Sequence, residues 1–246
     1  MASSDSEERL PGVHHYQHRG QVPWDIQNYF AQRYNIFSKY DDGIWMTDDA
    51  WFGVTPEPVA NKIASHLSAS APPSKPILID AFAGAGGNTI AFARSGHWKR
   101  VYAIEKDPAA LQCAKHNAVI YGVADRITWF EGDCFEILKR ELRDLAPYSV
   151  LFASPPWGGP GYRTDEIFNL STMQPYSIET LHAEFSAFTT DMVLFLPRTS
   201  DLRQLAAVAK PAEGKKLLVM HYCLEGASKA LCMYIGGFSF EGEEQR

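Results

Sequence analysis

The run Ala153-Ser154-Pro155-Pro156-Trp157-Gly158-Gly159-Pro160 follows directly on the apolar stretch Val150-Leu151-Phe152. The apolar stretch predicts a buried parallel strand. The two prolines must end it, because neither can donate a backbone hydrogen bond. A small hydroxyl, a stiff turn and a large aromatic are thereby set just past the carboxyl end of a strand, the edge at which open α/β sheets bind ligands. This set suits the exocyclic amine of a planar base. Such an amine needs two acceptors in its own plane and an aromatic face to fix that plane. The Ser154 hydroxyl and the Pro155 carbonyl could be the acceptors, and Trp157 the face. A proline-rich turn holding a packed Trp is the plainer alternative.

A second constellation lies upstream. Asp80-x-x-x-Gly84-x-Gly86 follows the short apolar run Ile77-Leu78-Ile79 and leads into a helix expected from Thr89. Glycines so placed let the backbone turn sharply and approach a ligand. A dinucleotide fingerprint would put a third glycine where Thr89 stands. An acid ahead of the loop does not suit a pyrophosphate; it suits an ammonium, such as the methionine amine of S-adenosylmethionine. Glu105, ending a second predicted strand, is placed for a ribose diol. Asp133, after a third, is placed to accept from an adenine amine, although Gly132-Asp133 is also a common turn. Three acids at successive strand ends describe the methyltransferase version of the fold.

The elements that must position these groups can be read in order. At 246 residues and 46% hydrophobic, the chain can form one large domain, or one domain with an appendage. Residues 1–20 are polar and irregular and are expected to be mobile, with His14, His15 and His18 a solvated tract rather than a metal site. Trp24 to Tyr40 carries helical spacing, and 21–70 reads as a helical lobe lying across the mouth of the next domain. Thr55-Pro56-Glu57 predicts a helix start, with Thr55 as the cap and a run to about Leu67. Ser70 to Pro76 is a linker.

Residues 71–240 then alternate. Strands are predicted at 77–80, 101–105, 127–130, 150–154, 192–196, 217–220 and 230–235, with helices from Thr89, from Pro108, over 135–142, 178–188 and 201–209. Residues 241–246 are left as a tail. Alternation implies a mostly parallel, seven-stranded α/β sheet covered on both faces, with an antiparallel last strand.

Composition excludes some classes. The net charge of −6 argues against coating nucleic acid by charge, while leaving room for a grip on one nucleotide or an RNA end. No apolar run approaches the ~20 residues of a membrane span. The polar N-terminus lacks a signal-peptide core, so an intracellular protein is expected. Cys113, Cys134, Cys223 and Cys232 are scattered and form no C-x-x-C pair, so neither zinc nor a disulfide framework is expected.

These pieces resemble the trimethylguanosine synthase family. The resemblance is carried by Arg33 to Ser38, Asp41-Asp42-Gly43-Ile44, Trp51-Phe52-Gly53-Val54-Thr55-Pro56-Glu57, Asp80 to Thr89, Ser154 to Pro160, and Phe195-Leu196-Pro197-Arg198. It spans roughly Trp24 to Gly236. It implies a Rossmann-like class I S-adenosylmethionine-dependent methyltransferase fold with a small helical N-terminal extension. It also implies two successive methyl transfers from S-adenosylmethionine to the guanine 2-amino group of a 7-methylguanosine cap, on small nuclear, small nucleolar and telomerase RNAs. It further implies a nuclear, often nucleolar, setting among ribonucleoprotein partners, with no membrane and no metal. By position, Thr55, Asp80, Phe82, Gly84, Gly86, Asn88, Thr89, Glu105, Asp133 and Ser154 would hold the cofactor. Ser154, Pro155 and Trp157 would carry the chemistry, and Trp157, Tyr162, Arg198 and Asn117 would meet the cap. The family often has a basic residue after Asp-Asp-Gly-Ile; here Trp45 stands there, which puts one phosphate contact in question. Almost nothing precedes the core, so recruitment by the chain's own tail is not expected. An adenine-N6-type amino-methyltransferase is the nearest rival, since that class holds its amine with a similar Asn/Asp-Pro-Pro-aromatic turn. A non-catalytic cap-binding module is a more distant one.

Overall fold

The computed structural model describes residues 8–158, 166–209 and 217–240. The N-terminal lobe is built from short turns of helix: α1 (Gln27–Phe30), α2 (Arg33–Ile36) and α3 (Ala50–Gly53). The continuous spacing read across Trp24 to Tyr40 is thus broken. At Gln32 the backbone N–H bonds to Tyr29 in an i→i−3 turn, which tightens the chain. Packing decides the outcome in segments too short to be helical alone: Ile26, Phe30, Ile36, Phe37 and Tyr40 are all buried, the Phe30 and Tyr40 rings against Trp51, while Trp24 is left 85% exposed.

Residues 8–20, expected to be mobile, are held against this lobe. Val13 is buried, His14 forms an isolated antiparallel bridge with Met46, and the Tyr40 hydroxyl donates to the Tyr16 carbonyl at 3.0 Å. Polarity alone did not reveal these backbone bonds.

Helix α4 (Glu57–Ser70) starts with Pro56 as its cap. Thr55 does not cap it; its hydroxyl instead accepts from Asn88 Nδ2 at 3.0 Å. Glu57, in the first turn, accepts from the Ser38 N–H, the Tyr121 hydroxyl and Arg94 at 2.7, 2.6 and 2.8 Å. Burial would raise its carboxyl, but these donors prevail and hold it below its ordinary value.

From there the alternation is as expected: β1 (Ile77–Asp80), α5 (Gly87–Arg94), β2 (Arg100–Glu105), α6 (Pro108–Ile120), β3 (Ile127–Glu131), α7 (Cys134–Arg140), β4 (Ser149–Ala153), α8 (Ile178–Ser186), β5 (Met192–Pro197), α9 (Leu202–Ala209), β6 (Leu218–Leu224) and β7 (Ala227–Ile235). Among the described residues these strands form one seven-stranded sheet in the order β3-β2-β1-β4-β5-β7-β6. The first five strands run parallel, and β7 lies antiparallel between β5 and β6.

Alternate residues of each central strand serve opposite faces. Val150, Phe152, Val193 and Phe195 join the core under α4, α5 and α6. Leu151, Ala153, Leu194 and Leu196 join the core under α7, α8 and α9. Each such Val, Leu or Phe side chain, once buried, stabilises by roughly 1.5–3 kcal/mol.

Register places the site. Asp80 pairs with Ala103 on one side and with Phe152 on the other. Glu105 and Ser154 therefore each lie two residues further along, at one common edge. Strand order reverses between β1 and β4, and a crevice opens at such a switch point.

Candidate active site

A cavity of about 580 Å³ occupies that crevice, within the range of small-molecule sites. Its floor is the loop Ala81 to Ala85 with Gly87 and Asn88. The ends of β2 and β3 form one side, the Ser154-Pro155-Pro156-Trp157 turn another, and Asp49 to Thr55 of the lobe close the front.

The glycines divide by task. Gly84 has φ +52°, and a Cβ there would meet no protein atom within 4 Å, so the backbone faces open cavity. Gly86 has φ +94°, and its Cβ would fall 3.2 Å from the Ala114 Cα; it allows packing against α6. Gly87, which sequence reasoning passed over, lets the front wall approach: its Cβ would lie 3.1 Å from Val54 and 3.3 Å from the Thr55 carbonyl.

Two of the three acids stand on the wall. Glu105 accepts the Gly84 N–H at 2.7 Å with one oxygen, and the Lys106 and Asp107 N–H groups at 2.8 and 2.9 Å with the other. Asp133 caps α7 through the Phe135 N–H at 3.0 Å and accepts from the Tyr176 hydroxyl, also at 3.0 Å. The third acid departs from expectation. Asp80 is fully buried and lies beneath the loop rather than on the cavity wall. Its carboxylate accepts the Thr89 hydroxyl at 2.6 Å and the Phe82 N–H at 3.3 Å. Thr89 is buried with it, so this pair braces the loop from behind. Burial, aided by the nearby Glu105 charge, pushes the Asp80 carboxyl up to about 7 against the two donors.

Ser154, Pro155 and Trp157 all line the cavity. The Trp157 indole rests on Phe195 of β5, with centroids 5.6 Å apart and planes 28° apart. Phe82, Asn88 and Thr55 line it as well.

The remaining expected contacts part company with it. Asn117 is a strap: it accepts the Trp45 N–H at 2.8 Å and donates to the Trp45 and Ala85 carbonyls at 2.9 and 3.0 Å. Its buried amide is spent on backbone and does not reach the cavity. Trp45 is buried and stacked on His116 at 3.7 Å, which leaves it unsuited to a phosphate. Arg198 is exposed, one residue past β5, and off the cavity wall. Tyr162 lies outside the described residues.

Several wall residues carried no signal of their own in the sequence. Asp49, Phe52 and Val54 come from the lobe, and Lys106, Cys134, Pro175 and Tyr176 from strand ends and an irregular loop. The Trp-Phe-Gly-Val-Thr-Pro-Glu run could have pointed to Phe52 and Val54; Asp49 precedes it, and nothing periodic marks Tyr176.

The cavity fits S-adenosylmethionine. The buried Oδ1 of Asn88 has no hydrogen-bond partner among the described residues, and a ligand donor would satisfy it. Gly84 presents bare backbone, and Glu105 and Asp133 present carboxylates held in place by backbone donors, each with acceptor capacity left toward the cavity. Among the described residues no group of His, Cys, Asp and Glu is assembled for a metal, and no helix is long and apolar enough to cross a membrane.

Comparison with known proteins agrees with this geometry. Residues 75–238 match the family model for RNA cap guanine-N2 methyltransferases. The chain is 39% identical over 215 residues to the trimethylguanosine synthase of Schizosaccharomyces pombe, covering 87% of each chain. It is 35% identical over 211 residues to that of Saccharomyces cerevisiae, covering 84% of this chain and 66% of the yeast one. Among solved structures, a Porphyromonas gingivalis protein assigned to the methyltransferases superposes with a TM-score of 0.59 at 14% identity, over 87% of this chain and 51% of that one. At that identity the likeness concerns the fold. Sheet order, cavity and family model converge: this chain belongs to the RNA cap guanine-N2 methyltransferase family, whose methyl donor is S-adenosylmethionine.

Proposed function

We propose that this chain is a trimethylguanosine synthase, converting a 7-methylguanosine cap to the 2,2,7-trimethyl form by two transfers to the 2-amino nitrogen. The observation that carries the reading is Trp157. It faces the cavity beside Ser154 and Pro155, and its position is backed by Phe195. A 7-methylguanine ring is cationic. Against an indole it gains base stacking of roughly 1–3 kcal/mol, and it gains a cation–π attraction of about 0.5–2 kcal/mol that unmethylated guanine lacks. These contributions overlap and do not add.

S-adenosylmethionine, when bound, supplies an electrophilic methyl group. This chain's residues position the acceptor. Ser154 and the Pro155 carbonyl orient the amine so that its lone pair faces the methyl, and placement does most of the work. The amine turns acidic on methylation and releases its proton to solvent, so the site needs no strong base. One hydrogen remains after the first round, leaving the second open.

Glu105 takes the ribose diol, Asp133 the adenine amine, and Asn88 and the Gly84 backbone the amino-acid end. Asp80 contributes its field from beneath the loop. Arg198, exposed just past β5 and outside the cavity wall, is placed to meet cap phosphates that extend beyond the cavity. The family resemblance read in the sequence suggests small nuclear and small nucleolar RNAs as substrates and a nuclear, nucleolar setting among ribonucleoprotein partners; the name of the fungal relatives speaks only to the cap product. The test is incubation with labelled S-adenosylmethionine and, side by side, a 7-methyl cap dinucleotide, its unmethylated counterpart and an adenine-containing oligonucleotide. Label confined to the first, recovered as 2,2,7-trimethylguanosine, supports the reading; label on adenine overturns it.

A further inference from the structure

Tyr176 lies in the segment between the Trp157 turn and α8, yet it touches the far side of the cavity. Its hydroxyl donates to Asp133 Oδ2 at 3.0 Å. Its ring meets Phe135 edge-on, with centroids 4.9 Å apart and planes at 73°, and lies 6.4 Å from Phe82. Tyr176, Phe82 and Asp133 all line the cavity. Burial, with the Asp133 bond and charge behind it, raises the phenol to about 12, so the hydroxyl keeps its proton and serves as donor.

Asp133 is consequently gripped from both ends. Oδ1 receives the Phe135 and Glu136 N–H groups of α7 at 3.0 and 3.4 Å. Oδ2 receives Tyr176 on one side, and Lys106 Nζ stands 3.9 Å away on the open side. An ionised carboxylate oxygen accepts about two hydrogen bonds, so Oδ2 keeps one free site, and its direction is fixed.

We propose that Tyr176 is a positioning residue that sets cofactor specificity: it aims the free acceptor site of Asp133 at the exocyclic amine of the cofactor's purine. This rests on the reading of Asp133 as the purine contact. A 6-amino purine donates to that site. A 6-oxo purine presents an acceptor to an acceptor and is refused, because a buried polar group left unpaired is costly. The residue that enforces the choice comes from the segment following the Trp157 turn, so the methyl donor is read in part by the chain that holds the methyl acceptor.

The experiment measures calorimetric Kd values for S-adenosylhomocysteine and S-inosylhomocysteine on the full chain, with Tyr176→Phe and Asp133→Asn. Loss of one oriented hydrogen bond is worth roughly five- to ten-fold. Tyr176→Phe should weaken the adenosyl ligand by about that factor and the inosyl ligand by less than about twofold, with the loss appearing in KM for S-adenosylmethionine rather than in kcat. Asp133→Asn, whose amide can donate to an oxo group, should collapse the preference. Equal weakening of both ligands by Tyr176→Phe, or no change in either, overturns the proposal. If Asp133→Asn also leaves the preference intact, the purine reading of Asp133 falls first and takes the proposal with it. If Asp133→Asn collapses the preference and Tyr176→Phe does not, only the role of Tyr176 is lost.

Discussion

Trp157 lies on Phe195, ring above ring, with 5.6 Å between centroids. A side chain from a turn is thus seated on one from a central strand. Phe195 is buried and paired in register with Cys232 of β7, so the indole plane inherits its orientation from the sheet. Trp157→Ala should abolish transfer to a 7-methyl cap while leaving S-adenosylmethionine affinity within about threefold. Phe195→Leu keeps the bulk but not the flat support, so it should cost about 1 kcal/mol of stability and raise KM for the cap several-fold. Thermal melts and steady-state kinetics separate the two effects. Normal turnover by Trp157→Ala would remove the stacking role.

The two strained glycines should fail in different ways. Gly84→Ala places a methyl where there is open cavity, at φ +52°. It should lose roughly 1–2 kcal/mol of stability to backbone strain and most of its cofactor affinity. Gly86→Ala carries the same strain and also drives a Cβ to 3.2 Å from the Ala114 backbone. It should melt markedly lower. Equal melting temperatures for the two variants would show that this division of tasks is mistaken.

Asp80 should make the free protein sensitive to pH. An ordinary aspartate ionises near 3.8, whereas burial raises this one to about 7. Between those values the folded chain holds a proton that the unfolded chain has released, so stability falls as pH rises through the window and levels off above about 7. Asp80→Asn lacks that titration. Unfolding curves from pH 4 to pH 8 should show the wild type losing stability relative to the variant across this range. Parallel curves would place the carboxylate in a more polar setting than the loop provides.

Thr55→Val keeps the shape of the front wall and removes the acceptor of Asn88 Nδ2, a bond of 3.0 Å between buried groups. Leaving that donor without a partner should cost about 1–3 kcal/mol. KM for S-adenosylmethionine should rise, because the same amide presents its free oxygen within the cavity wall. Thr55→Ser, which restores the hydroxyl, should recover most of both losses.

The parallel sheet was legible because its strands are short apolar runs closed by Asp80, Glu105, Ser154 and Pro197, and because glycine and proline punctuate them. The loop, Glu105, Asp133 and the Ser-Pro-Pro-Trp turn followed from strand ends alone. What eluded the sequence depended on partners distant along the chain. Asn117 was placed with the cap, but its amide is engaged by Trp45 and Ala85. Thr55 carried the marks of a helix cap, yet Asn88 claims its hydroxyl. Asp80 was expected to touch the ligand, and its distance from the cavity is set by how the loop folds over it. Tyr176 belongs to no periodic pattern and is defined only by where its loop returns.

Among the described strands of the sheet, the one that pairs with Phe195 from β7 is made last. β7 (Ala227–Ile235) is inserted between β5 and β6, so the sheet's interior stays incomplete until its other six strands have been made. A nascent chain halted before Ala227 would hold Met192 to Pro197 as an open edge, a template for pairing with another molecule. The support beneath Trp157 would then be missing its neighbour. Competence to seat a cap therefore waits for β7, and stops before Ala227 should yield aggregating fragments rather than weakened enzymes.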